Sequence, residues 1–168
     1  MELPKNQDKV LESFRHGPNI LENAIVDLSD FELDYIPSNG GWSIRQIIHH
    51  VVDGDDFWKI GIKIALGGEE AEFTLKWYMA LPQIEWAKRW SYEKRSIDIS
   101  LNLFRAIRSH ILQLLEYSHD GWNKSVRFKN PKGELEIVPV GFVIQMQADH
   151  VEHHVKRILE IRKEISNT

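Results

Sequence analysis

Apolar residues recur at alternating three- and four-residue steps in four long stretches of this chain, and that period commits most of it to amphipathic helix. In the first stretch, about residues 8–28, Phe14, Pro18, Leu21, Ile25 and Leu28 fall on one face. The Gly17-Pro18 pair inside it predicts a break or kink in the early turns. The second stretch begins at Ser43, where Ser-Ile-Arg-Gln has the form of a capping box, with Ser43 as N-cap and Gln46 three residues on. Its seam is Ile44, Ile47, Ile48, Val51, Trp58 and Ile62, and Gly67-Gly68 supplies a stop. The third covers about residues 92–117, with Ile97, Leu101, Phe104, Arg108, Ile111 and Leu115 along one side. The fourth starts near residue 139 and continues past 165, with Val140, Ile144, Gln147, Val151, Val155 and Ile158 as its seam.

Between the third and fourth helices, Asn130-Pro131-Lys132-Gly133 is a turn signal flanked by two short alternating runs, which predicts a small β-hairpin. Residues 69–90 hold three tryptophans, Pro82 and mixed polarity, and read as a long crossover that packs aromatic rings on the helices. The expected fold is all-α: a four-helix bundle with one long crossover and a small β-hairpin before the last helix. At 168 residues, the chain suits one domain over 1–168, able to bury roughly 70% of its unfolded surface.

Composition removes several classes of function. A net charge of −4 and a pI near 6.1 leave no electrostatic footprint for nucleic acid. No cysteine is present, so disulfides, thiolate ligands and a cysteine nucleophile are all excluded. The first residues lack the apolar stretch of a secretory signal, and no apolar run approaches the roughly 18–20 residues that span a bilayer. A cytoplasmic protein with no membrane partner is expected.

Against this plain background the histidines stand out. Asp-His-Val-Glu-His-His places His150 and His154 four apart with His153 between them, and Ile-Ile-His-His-Val-Val repeats the pattern at His49 and His50. At about 100° per residue, His154 falls on the buried side of the fourth helix, His150 lies one turn earlier on the same flank, and His153 points to the opposite face. On the second helix His49 lies nearly opposite the seam, near Asp53, whereas His50 sits on its flank beside Gly54 and Phe57. His50, His150 and His154 are thus the trio able to look into one bundle. Histidines at i and i+4 can close on one ion, and a third from a facing helix leaves one position open for water or substrate. The ions that imidazole suits are zinc, nickel, copper and iron. The residues alone leave a second reading open, in which the three are core-edge histidines bonded to backbone or water. His16, His110 and His119 have no partners at ligand spacing and are expected on the surface. Gln147, one turn before His150, is read as a hydrogen-bonding core residue that could also orient a ligand.

Two of these segments carry a resemblance to a known family. Gly-Gly-Trp-Ser-Ile-Arg-Gln-Ile-Ile-His-His is similar to the Trp-Ser/Thr-x-x-x-x-x-x-His segment of the DinB/YfiT-like metal-dependent proteins, with His50 at the ligand position. Gly133-Glu134 leading into a helix with His150 and His154 resembles the family's final segment. Many members continue the last histidine with Arg-Gly-Gln; here Val155-Lys156-Arg157 follows, nearer the YfiT-like branch. The resemblance implies an up-down-down-up four-helix bundle, often a homodimer, with a divalent metal on His50, His150 and His154, zinc or nickel foremost. It implies an enzyme acting on a small-molecule substrate, either a hydrolase or an S-transferase using a low-molecular-weight thiol. The alternative is a non-catalytic metal-binding bundle of the stress response. No carboxylate is placed as a general base, so the catalytic residues are left unassigned.

Overall fold

Asn6 starts the first helix by accepting the Lys9 amide on its side chain at 3.0 Å. From there α1 runs Gln7–Ile25 in the computed structural model, which describes residues 1–68 and 71–167. The expected break at Gly17-Pro18 does not occur. Pro18 lacks the N–H that would donate to the Phe14 carbonyl one turn back, and the Arg108 guanidinium donates there instead, Nη1 to O 2.7 Å. Gly17 makes room for that guanidinium, since a Cβ at this position would lie 1.9 Å from Nη1. The pair that reads as a helix breaker is the docking point of a side chain from another helix.

A short α2, Asp30–Leu33, leads to α3, Ile44–Gly67. The capping box forms as expected: the Gln46 amide donates to Ser43 Oγ at 3.3 Å and the Ser43 amide to Gln46 Oε1 at 3.0 Å. Gly68 ends the helix in the left-handed region at φ +74°. The crossover then contains β1, Glu72–Thr74, and two short helices, α4, Lys76–Met79, and α5, Gln83–Arg89; residues 69 and 70 of the expected crossover lie outside the described residues. Its rings stack on one another, Trp86 on Trp90 at 4.9 Å, and meet α3 through Phe57, 4.8 Å from Tyr78. The third long helix begins later than periodicity suggests. A single 3₁₀ turn occupies Tyr92–Lys94, and Ser96 then caps α6, Ile97–Glu116, by accepting the Asp98 amide. The last helix, α7, spans Val140–Ser166.

The predicted hairpin is present, with β2, Ser125–Lys129, antiparallel to β3, Leu135–Pro139. Asn130 Oδ1 closes its turn by accepting the amides of Lys132 and Glu134, each at 3.0 Å. A third strand was not foreseen: β1 adds parallel to β2, where Phe73 packs against Phe128 and Trp58.

Cross-helix contacts set the connectivity. His49 meets Ser100 and Asp55 meets Arg108, so α3 and α6 run parallel. His50 faces His154 while Gly54 faces Gln147, so α3 and α7 are antiparallel. Ser13 bonds Glu152 and the Ala24 carbonyl accepts from Arg162, making α1 and α7 parallel. Phe14 meets Arg108 and Glu22 meets Arg105, making α1 and α6 antiparallel. The bundle is therefore up-down-down-up, and the crossover returns the chain from the end of α3 to the start of α6.

Two apolar clusters fill the interior. One gathers Phe14, Ile62, Phe73, Ile111, Val138 and Ile144 near the sheet, and the other gathers Leu21, Ile44, Ile48, Phe104, Val151 and Ile158 at the far end. Arg108 lies at the waist between them, its guanidinium carbon 4.3 Å from the centre of the Phe14 ring and 4.5 Å from that of Phe104. Among the described residues no helix is long and apolar enough to cross a membrane.

Candidate metal centre

His50 on α3 and His150 and His154 on α7 come together. Nε2 of His150 lies 3.1 Å from Nε2 of His50 and 3.1 Å from Nε2 of His154, and one nitrogen from each ring falls within 4.8 Å of the others. The rings stand edge to face, with centroids 5.0, 5.0 and 4.6 Å apart. Trp42, just before the cap of α3, sets its ring edgewise on His50 at 4.7 Å. His153, His16, His110 and His119 are exposed, as their positions predict.

Burial makes all three imidazoles poor bases. Desolvation, with neighbouring His150 and His154 adding to it, pushes His50 down to about 3. Desolvation, then His150 and His153, takes His154 to about 3. Desolvation, then His153 and Arg108, takes His150 to about 4. At neutral pH the rings are uncharged, and each offers one lone pair. At 3.1 Å two such nitrogens share an N–H···N bond when one carries its proton there, or hold a cation between them when both lone pairs turn inward. In a tetrahedral site with bonds of about 2.0–2.1 Å, ligand nitrogens stand roughly 3.3 Å apart, close to the separations from His150. A neutral three-nitrogen set without thiolate suits a divalent ion of the kind that imidazole binds. Among the described residues no fourth His, Cys, Asp or Glu joins the group.

Beside His50 and His150 lies a cavity of about 210 Å³. Gly54, Phe57 and Trp58 of α3 form one wall, Met146 and Gln147 of α7 a second, and Leu75, Tyr78, Met79 and Gln83 of the crossover the third. The crossover's part in this wall was not foreseen. The only trace in the sequence is the density of aromatic residues in a segment too short and broken for a bundle helix. Tyr78 is itself held protonated, pushed up to about 12 by burial and by Asp53.

The site rests on a buried ion pair. Arg108 and Asp55 are each 1% exposed, with Nε to Oδ2 2.7 Å and Nη2 to Oδ1 3.4 Å. Nη2 also donates to the Gln147 carbonyl at 2.9 Å, so one guanidinium joins α1, α3 and α7 one turn from His150. Periodicity set Arg108 among apolar seam residues, and that oddity was the available signal.

His49 corrects the helical wheel. It does not escape the interior by lying opposite the seam, because α3 is covered on two sides, by α7 and by α6. The ring is fully buried against α6, with Nδ1 2.8 Å from Ser100 Oγ and Nε2 3.3 Å from the Arg95 carbonyl. One turn on, Tyr92 donates its hydroxyl to Asp53.

The comparisons with known proteins agree with this arrangement. A family model for the DinB superfamily matches residues 13–158. A relative from Oceanobacillus iheyensis, named "putative metal-dependent hydrolase", is 32% identical over 147 residues, 87% of this chain and 80% of its own. Among solved structures, YfiT from Bacillus subtilis, described as a probable metal-dependent hydrolase with an unusual four-helix bundle topology, superposes with a TM-score of 0.81. That match has 22% identity and covers 98% of this chain and 91% of YfiT. A mycothiol-dependent maleylpyruvate isomerase shares the fold at a TM-score of 0.66 and 17% identity, covering 91% of this chain and 60% of the isomerase. Sequence match, helix connectivity and the convergence of two histidine segments lead to one assignment: the chain belongs to the DinB superfamily.

Proposed function

We propose that this protein is a metal-dependent enzyme acting on a small molecule, with His50, His150 and His154 as ligands of a divalent ion. The observation that carries the reading is the meeting of three uncharged imidazoles, two of them, His50 and His150, at the wall of a cavity. When bound, such an ion supplies a Lewis acid and acidifies a water or thiol beside it. The chain's own residues then have separable tasks. His50, His150 and His154 are the ligands, and Trp42 and the Asp55–Arg108 pair hold their helices in place. Phe57, Met79 and Met146 give the cavity apolar surface for the substrate to pack on.

Hydrolysis is the favoured reaction, supported by the names of the relatives. S-transfer is the second, favoured by the fold shared with a mycothiol-dependent isomerase; with no cysteine in the chain, its thiol would be a small molecule. The test is elemental analysis of the purified protein beside single alanine variants of His50, His150, His154 and His153. About one ion per chain is expected in the wild type and in His153→Ala, with loss in the other three. A wild-type protein that neither carries nor takes up zinc or nickel overturns the reading. In the cobalt form, a sulfur-to-metal charge-transfer band on adding a thiol would favour S-transfer, and a pH-dependent spectrum indifferent to thiol would favour hydrolysis.

A further inference from the structure

Besides the histidines, four residues lining the cavity carry a nitrogen or oxygen on the side chain: Trp58, Tyr78, Gln83 and Gln147. Gln147 is buried, its Oε1 closed off from any occupant. Gln83 is exposed, so water serves its carboxamide. Trp58 sits at the sheet end, its ring against Phe73 and Phe128. Tyr78 remains. Of the four tyrosines in the chain, Tyr35 donates to Glu164, Tyr92 donates to Asp53, and Tyr117 stands in solvent at 82% exposed. The Tyr78 hydroxyl has no hydrogen-bond partner among the described residues, yet, unlike Gln147 Oε1, it keeps surface open to solvent. The residue is held elsewhere: its backbone carbonyl accepts from Trp86 Nε1 at 2.7 Å, and its ring stacks on Trp90 within 3° of parallel.

The ring centre lies 4.8 Å from that of Phe57, two turns along α3 from His50. Burial, with Asp53 adding to it, holds the phenol protonated up to about 12. Asp53 is one turn nearer the histidines than Phe57, about 4.5 Å along the helix from His50, so the polar end of Tyr78 is turned toward them. At neutral pH that end is a donor without an acceptor. Among the described residues no lysine, arginine or carboxylate lines the cavity. Away from the histidines a phosphoryl or carboxylate group would therefore lack a counter-ion, whereas a carbonyl oxygen is an acceptor that needs none. At about 30 Å³ for each water-sized group, the volume of about 210 Å³ holds roughly seven non-hydrogen atoms.

We infer that Tyr78 is a substrate-binding residue: its hydroxyl donates to the carbonyl oxygen of a small, uncharged acyl or keto compound held beside His50 and His150. As a nucleophile adds to that carbonyl carbon, the π pair moves onto the oxygen, and a hydrogen bond already aimed there strengthens as the charge grows. The inference rests on the proposed site for its meaning as substrate recognition, but the binding can be read without turnover.

Tyr78→Phe removes the oxygen and keeps the ring on Trp86 and Trp90, so the melting curve should not move. A fall of several degrees would show the hydroxyl in use within the protein and overturn the inference. The probes are cyclopentanone and methylenecyclopentane, alike in shape, with =O in one and =CH₂ in the other. Of the three methionines, Met79 and Met146 line the cavity and Met1 lies at the exposed N-terminus. With ¹³C-labelled methionine methyls, both probes should shift Met79 and Met146 and leave Met1 unmoved. In Tyr78→Phe the ketone should bind roughly tenfold more weakly, the size of one neutral hydrogen bond, and the alkene as it binds the wild type. The ¹³C-labelled Cζ of Tyr78, identified by its loss in the variant, should move further with the ketone than with the alkene. A ketone that leaves Met146 unmoved in the wild type, or that binds the variant equally well, overturns the inference, as does equal weakening of both probes. Metal content measured on the same samples keeps the two readings apart. Metal-free protein that still shows the ketone effect defeats only the metal site, and metal-loaded protein without it defeats only this one.

Discussion

At the scale of the residue, Arg108 is the side chain on which most depends. Replacing it by alanine strips a partner from Asp55, from the Phe14 carbonyl and from the Gln147 carbonyl together. Burial already pushes the Asp55 carboxyl up, with Arg108 pulling it back. The expected cost is about 3–5 kcal/mol, as for other buried pairs broken on one side, measured by urea unfolding. Asp55→Leu combined with Arg108→Met should recover part of it. His49 gives a contrasting prediction. Its contacts with Ser100 and the Arg95 carbonyl make His49→Ala destabilising by about 1–3 kcal/mol, yet its metal content should match the wild type. His50→Ala should do the reverse. Two adjacent histidines, alike to a reader of the sequence, are thus separated by which neighbouring helix covers them. The wheel located His50, His150 and His154 because each lies beside its own helix's seam. It misjudged His49 because a wheel assumes one buried face, and α3 has two.

At the scale of the element, α3 shows what local rules can and cannot reveal. Its start and stop are written in adjacent residues, Ser43 with Gln46 and Gly68, and both were legible. Ser43→Ala should cost about 1 kcal/mol, read as a fall in melting temperature. Gly54 lies mid-helix, where glycine is worth about 1 kcal/mol less than alanine. The added Cβ would make ordinary contact with His150 at 3.4 Å, so Gly54→Ala should raise stability by up to that amount. The same methyl narrows the cavity beside His150. A helix that would be firmer without its glycine indicates that the open space is what the position serves. By contrast β1 left almost no mark on the sequence. It is three residues long, and its partner β2 lies more than fifty residues away; pairing at that distance depends on Phe73 finding Phe128, not on any local pattern. The late start of α6 was hidden for a related reason, since the apolar spacing continues back through Tyr92 while the cap at Ser96 interrupts the backbone.

At the scale of the whole molecule, the histidine site ties α3 to α7 beside the cavity while Asp55–Arg108 ties them at the waist. An ion bound only by the folded state adds stability by mass action, about 2.7 kcal/mol at a hundredfold excess over Kd. For a chain of this size that corresponds to a rise of about 5–10 °C in melting temperature. Zinc or nickel should therefore lift the wild-type melting curve, a chelator should lower it, and His150→Ala should respond to neither. The same view of the molecule bears on how it is made. The Phe14 carbonyl in α1 is satisfied by a guanidinium 94 residues further along the chain. At about 5–20 residues per second, a ribosome takes roughly 5–20 s to reach it. For that interval the newborn first helix carries a proline and an open carbonyl, with only water to satisfy it. The amino-terminal half therefore has reason to wait, and a transcript cut short before α6 would release a helix whose closing residue was never synthesised.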